Sequence, residues 1–399
     1  MTLDSYTKGM WLPYGGPVTD DELGAAGHSL FDGPFTWPVM VARRSVLIAN
    51  VATMAEYTAR HGVLFAPHGK TSMSPELFAE QLAAGAWGIT VATANQALAA
   101  HRFKVPRILL ANEVLDEKVL RWAATRPDFL FYVDSAAGVD VAARALAAVP
   151  GGRLTVLVEL GRPGGRTGCR GIAEAAELAR TAAAVPGLTV AGVAGYEGGL
   201  PDADAIAAWL RELTALADEI ADLVPGTAIV SAGGSAWFDT VVDVLAPGGR
   251  PPEGRTVILR SGAYVSHDDG YYARVTPFHR HPDEGSLVGA LEVWAQVVSA
   301  PEPGLAILGA GRRDVPFDLD LPVPLAVRGL DGSLRDAGAA RVVKLDDQHA
   351  YVDLGDTTMA VGELVRLGIS HPCTAFDKWR AVPVVDDEHV VVDVLHTHF

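Results

Sequence analysis

The tract Pro67-His68-Gly69-Lys70-Thr71-Ser72 lies where an apolar run, Gly62 to Ala66, gives way to a helical one, Pro75 to Ala86. This context puts a lysine amine at the end of a strand. A lysine so placed can form a Schiff base with a carbonyl, provided its ammonium is desolvated enough to lose a proton near neutral pH; it can also be a solvated loop residue. The chain has six lysines (Lys8, Lys70, Lys104, Lys118, Lys344, Lys378), and Lys70 alone among them follows a strand into a glycine-containing turn. A second candidate, His371-Pro372-Cys373, lies near the C-terminus. Alternate residues of an extended segment point the same way, and Pro372 marks a turn that brings both side chains round one ion. Neutral imidazole and thiolate together suit Zn²⁺, although His-Pro-Cys standing alone can equally be structural.

The elements that must position these residues are read from apolar periodicity. Eight strands are predicted, over 63–67, 88–93, 107–112, 129–134, 154–160, 188–195, 228–233 and 256–261. The stretches between them, such as Asp204 to Leu223, space apolar residues as helices packed on one face do. Eight such units predict a (β/α)₈ barrel over residues 39–278, with a doubly wound open sheet as the alternative. Pro247 to Gly254 caps the helix before the last barrel strand. From 279 to 399 the texture changes to Val- and Gly-rich runs separated by turn formers, which predicts an antiparallel β domain.

In a barrel, residues just past the carboxyl ends of the strands share one face. Lys70 follows the first strand, Arg166 the fifth, Tyr196 the sixth, Gly233-Gly234-Ser235 the seventh, and Ser261-Gly262-Ala263-Tyr264 the eighth. Gly-Gly-Ser opens a predicted helix, SAWFDTVVDVLA, whose exposed amides could bind a dianion, though such a triplet also serves as a plain helix cap. Arg166 could as well pair with a loop carboxylate, and Tyr196 and Tyr264 could pack.

The segment KTSMSPELFAEQLAAGAWGITVATANQA, beginning at Lys70, closely resembles the lysine segment of fold-type III pyridoxal-phosphate (PLP) enzymes related to D-threonine aldolase and D-serine dehydratase. Pro67, His68, Lys70, Thr71, Gln81, Gly85, Gly88, Gln96 and Ala97 occupy the family's places, and the resemblance recurs in Ser370-His371-Pro372-Cys373-Thr374-Ala375-Phe376-Asp377-Lys378-Trp379. The resemblance implies an alanine-racemase-like PLP barrel followed by a β domain that residues 1–38 join. It implies that Lys70 carries PLP, that Arg166 and Tyr196 neighbour the ring, and that Gly233, Gly234, Ser235, Gly262 and Tyr264 surround the phosphate. His371 and Cys373 become ligands of a divalent metal, Zn²⁺ first, with Mn²⁺ or Mg²⁺ as alternatives. It further implies a homodimer, each active site taking a barrel from one chain and the β domain of the other.

The family divides at the second metal ligand, with aspartate typical of the D-threonine aldolase branch and cysteine of the dehydratases. Cys373 therefore implies a dehydratase of β-hydroxy D-amino acids that gives a 2-oxo acid and ammonia. The alternatives are a retro-aldol lyase releasing glycine and an aldehyde, alanine racemization, and a non-catalytic PLP-binding carrier. His267-Asp268-Asp269 reads as a polar loop near the site, and His396-x-His398 as a terminal tail.

A formal charge of −16 excludes nucleic acid and anionic membrane as partners, since both demand a basic face. The expected partner is a small β-hydroxy amino acid. Cys169 and Cys373 are too few for a disulfide framework. No apolar stretch is long enough for a membrane span, and the N-terminal residues lack a basic-then-apolar leader, so a cytoplasmic location is expected.

Overall fold

The computed structural model of the protein describes residues 2–13 and 16–399. The chain divides into two compact units, one of Met54–Lys70 and Phe78–Gly262, the other of Met1–Thr53, Thr71–Leu77 and Ala263–Phe399.

The first unit is built on eight parallel strands: Leu64–Phe65, Ile89–Val91, Ile108–Glu113, Phe129–Val133, Leu154–Leu160, Leu188–Gly195, Ala228–Ser231 and Arg255–Leu259. They are called here the first to eighth barrel strands, and each falls on one of the eight predicted segments. The hydrogen-bonded order runs first, eighth, seventh and so on down to second. A parallel bridge between His68 and Thr90 joins the two ends of that order. Trp87 N–H donates to Phe65 O at 2.7 Å and Thr90 N–H to Pro67 O at 2.9 Å across the same seam.

Parallel strands covered on both faces read as continuous apolar runs, and Phe129–Val133 is buried throughout. The interior layer holds Leu109, Leu130, Tyr132, Leu157 and Ala194. Outside it, the helix Ala203–Glu219 buries Ile206, Leu210, Leu213 and Leu216 at helical spacing. Asp202 caps that helix by accepting the Ala205 N–H at 2.9 Å.

The second unit is mainly antiparallel sheet. Its long strand Leu291–Glu302 pairs antiparallel with Val39–Arg43, Leu364–Gly368 and Leu305–Leu308. Val39–Arg43, at the start of the span read as barrel, also pairs in parallel with Ala381–Val385. Apolar on both faces, it needs sheet neighbours on both edges, and this unit supplies them. Asn50 fastens the following helix to the same unit, donating to Val265 O at 3.2 Å and Val288 O at 2.8 Å. Around Trp294, the core gathers Val39, Val41, Leu364, Val385, Val391 and Val394. No helix among the described residues is long and apolar enough to cross a membrane.

Candidate active site

Lys70 sits in a 3₁₀ turn, Gly69–Thr71, directly after the first barrel strand. Gly69 makes that turn possible: a Cβ there would run into the Phe78 ring and Ile89, so the backbone presses on the barrel wall and the next side chain is fixed at the strand end. His68 stands before it with its Nδ1 sealed from solvent and lacking a hydrogen-bond partner. Burial first, then the positive charges of Lys70, Arg260 and Arg166, hold His68 well below the usual imidazole range, so the ring beside Lys70 is neutral.

Arg260, which the sequence reading passed over, ends the eighth strand and is buried. It donates to Ser231 Oγ at 2.6 Å and to Gly195 O at 2.6 Å, spanning the sixth to eighth strands. Its guanidinium lies 5.9 Å from the centre of the Tyr132 ring. A cation closing the apolar run TVILR was the signal available for it.

Three carboxylates face one another at the ends of the third, fourth and fifth strands. One oxygen from each of Glu113, Asp134 and Glu159 lies within 4.8 Å of the others. Register places Glu113 opposite Tyr132, and Asp134 two residues on from Tyr132 faces the same side. Burial first, then Glu159 and Asp134, push Glu113 up to about 8. Glu113 thus holds a proton in the folded state that it loses near pH 4.5 when unfolded, so stability falls as pH rises from about 4.5 towards 8. Glu113→Gln is accordingly expected to raise the melting temperature at pH 8.5 by several degrees while changing it little at pH 5. Thermal denaturation at the two pH values checks this, and an equal effect at both would refute a buried proton on Glu113.

Arg166 lies in the loop after the fifth strand, its guanidinium 4.6 Å from the centre of the Tyr196 ring. Tyr196 follows the sixth strand and is 42% exposed. After the seventh strand, Gly233 and Gly234 donate their N–H groups to the two carboxylate oxygens of the buried Glu197, the former at 3.1 Å. The glycine pair therefore does bind an oxyanion, here one from its own chain. The helix beyond it begins at Phe238, not at Ser235 as the sequence suggested, because Gly233 takes φ +101° and Trp237 N–H folds back on Gly234 O. Gly262 closes the barrel unit, and Tyr264, 2% exposed, belongs to the β unit.

The residues present at the barrel mouth fit a phosphate-bearing aldehyde cofactor. A lysine amine stands beside a neutral imidazole whose Nδ1 lacks a partner, and after the seventh strand two glycine amides are aimed at one carboxylate, Glu197, whose place an anionic group would take.

In the β unit, His371 and Cys373 occupy the turn that Pro372 creates. His371 adopts φ +66°, held there by its N–H donating to Asp268 Oδ2 at 2.8 Å. Its Nδ1 meets Asp318 Oδ2 at 2.5 Å, and Thr374 Oγ1 donates to the other Asp318 oxygen at 2.7 Å. Cys373 first, then Asp318, push His371 up to about 9 against the opposing effect of burial. Cys373 Sγ lies 3.4 Å from Thr71 Oγ1. A carboxylate on Nδ1 leaves Nε2 as the ligating nitrogen, the arrangement common behind metal-bound histidines, so this donor set fits a thiophilic divalent ion. Asp318 lies 53 residues before His371 and carries no local mark of its role. His267, also in this unit, is buried with its Nε2 unpartnered, and His396 pairs with Asp20 at 2.9 Å instead of fraying.

Residues 44–245 match the alanine racemase N-terminal domain family, and residues 290–385 match the family described as "Putative serine dehydratase domain". Among characterised proteins, the chain is 27% identical over 373 residues to D-threonine aldolase from Arthrobacter sp., covering 90% of each. It is 25% identical over 349 residues to 3-hydroxy-D-aspartate aldolase from Paracoccus denitrificans (strain Pd 1222), covering 84% of each. Among solved structures, a cysteine-to-alanine variant of D-threo-3-hydroxyaspartate dehydratase in its metal-free form superposes with a TM-score of 0.72, at 23% identity, over 91% of this chain and 98% of that one.

Proposed function

The chain belongs to the alanine-racemase-like, fold-type III family that contains D-threonine aldolase and the D-serine dehydratases, and from that premise we propose that it is a PLP- and divalent-metal-dependent dehydratase of β-hydroxy D-amino acids. The observation that carries the choice of reaction is Cys373 beside His371, in the place where the aldolase branch typically has aspartate. Support comes from the similar dehydratase whose cysteine variant is described as metal-free.

Lys70 is the residue to hold PLP, with Arg166 and Tyr196 by the ring and Gly233, Gly234, Ser235, Gly262 and Tyr264 by the phosphate; PLP would supply an electron sink for the pair left at Cα. His371 and Cys373 are the residues to hold the ion, Zn²⁺ by its ligand chemistry, which would draw charge from the β-hydroxyl. Lys70 Nζ takes the Cα proton. Neutral His68 adds no further positive charge beside that amine. Asp318 orients His371, and Thr71 Oγ1 lies in reach of the Cys373 sulfur. Loss of the Cα proton and the β-hydroxyl as water, followed by hydrolysis of the enamine, gives a 2-oxo acid and ammonia; D-serine gives pyruvate. The enzyme acts as a homodimer in the cytoplasm.

The aldolase reading is favoured by the two characterised relatives, which are both named aldolases. Incubation with D- and L-serine, threonine and 3-hydroxyaspartate separates the two. Ammonia with a 2-oxo acid from the D-isomers is expected. Glycine with an aldehyde as sole products would make the aldolase reading correct, and reaction of none with PLP bound would leave the carrier reading.

A further inference from the structure

We propose that Asp268 is a positioning residue for the metal pair: it holds the backbone of His371 in place and thereby sets the affinity for the divalent ion, as the centre of a clamp formed by residues 268–274. This deepens the lyase reading above and rests on its assignment of His371 and Cys373 to the ion.

His371 carries a Cβ yet lies in the left-handed region, at φ +66°. Such a conformation is costly outside glycine and persists only where the surroundings over-determine it. Asp268, 1% exposed, does this with one carboxylate. Its Oδ2 accepts the His371 N–H at 2.8 Å, while its Oδ1 accepts the N–H groups of Gly270 and Ala273, both at 3.1 Å. The carboxylate cannot turn away from His371 without giving up the amides on its other side, so the loop and the metal turn are held in one register. Hydrogen bonds to an ionised acceptor are shorter and stronger than neutral ones.

Further ties run alongside. Asp269 N–H donates to Ile369 O at 2.9 Å, and Tyr271 N–H to Ser370 Oγ at 3.0 Å. Ser370 Oγ donates in turn to Asp320 Oδ2 at 3.1 Å, and Arg274 donates to the same oxygen at 2.6 Å. Two glycines permit this close approach: a Cβ on Gly270 would strike Ser370, and one on Gly368 would strike the Asp269 side chain. The polar loop of the sequence reading is thus fastened along residues 368–371. Asp318 grips the imidazole from a side chain that is 41% exposed, whereas Asp268 fixes the backbone from the buried side. A His371 relaxed to an ordinary φ would swing its ring out of line with both Asp318 and Cys373.

The test measures Zn²⁺ binding to the PLP-loaded protein by equilibrium dialysis, with no substrate present. Asp268→Asn keeps the size of the side chain and one acceptor for Gly270 and Ala273, but it turns an NH₂ group on the His371 N–H. Its Zn²⁺ dissociation constant should rise by about tenfold to a hundredfold, as when the outer partner of a metal ligand is lost, with the absorption of bound PLP unaltered. Saturating Zn²⁺ should return its turnover towards wild type. In a His371→Ala background the same substitution should weaken Zn²⁺ binding no further. Ser370→Ala, which loses two of the parallel ties and leaves the carboxylate, should weaken binding by about fivefold, the worth of one neutral hydrogen bond. A lowered melting temperature with wild-type Zn²⁺ affinity would make Asp268 a purely structural residue and overturn the proposal, as would an equal loss of affinity in the His371→Ala background. Should Asp268→Asn not fold, wild-type affinity in Ser370→Ala would overturn it. Glycine and an aldehyde as products of a protein that shows these shifts would remove the dehydratase reading and leave the role of Asp268 standing; a wild type that binds no Zn²⁺ would remove both.

Discussion

Lys70→Ala should lower turnover by about a thousandfold or more, because in the proposed reaction it would remove at once the amine that anchors PLP and the base for the Cα proton. The other five lysines cannot stand in. Lys8 pairs with Asp314 at 2.7 Å, Lys118 with Asp116 at 2.9 Å, Lys344 with Asp346 at 3.3 Å and Lys378 with Asp377 at 4.0 Å, while Lys104 is exposed. Lys70 alone stands at a barrel strand end beside a neutral imidazole. Borohydride reduction of the PLP-loaded protein, followed by peptide mapping, should put the pyridoxyl label on the peptide containing Lys70. A label on any other lysine would show that the barrel mouth has been misread, whatever the activity of the variant.

The second large effect concerns the metal pair. Cys373→Ala and His371→Ala should each lower turnover by about a hundredfold or more while leaving the visible absorption of bound PLP in place, since in the proposed reaction the ion would serve the leaving hydroxyl and not cofactor attachment. Chelation should do the same to wild type and be reversed by Zn²⁺. Asp318→Ala should fall between, because it frees the imidazole to turn without deleting a ligand. Full activity after exhaustive chelation, with the metal content measured, would remove the ion from the reaction; joint loss of metal and PLP absorption would move it to cofactor binding.

Much of the architecture was readable from local pattern. Eight apolar runs such as LTVLVEL and FLFYVD each form one strand of the closed parallel sheet, since a strand buried on both faces has to be apolar along its length. Lys70 and the His371–Cys373 pair were also visible, because a lysine in a glycine turn after a strand and two soft ligands flanking a proline are marks carried within a few residues. Val39–Arg43 shows the limit: its composition says buried strand, but not which sheet, and its partners lie about 250 and 340 residues away.

What the amino-acid sequence determined by itself, then, was which segments are strands and which residues carry reactive atoms, both of which follow from side-chain chemistry and short-range periodicity. Tertiary structure decided which of those atoms meet. Glu113, Asp134 and Glu159 meet only because parallel register brings three strand ends level. Glu197 reaches the Gly233 and Gly234 amides from the neighbouring strand, and Asp318 reaches His371 across 53 residues. Charge interactions of this kind depend on distances of a few ångströms in a low dielectric, and such distances are set by strand order and closure of the sheet, which no local run of residues encodes.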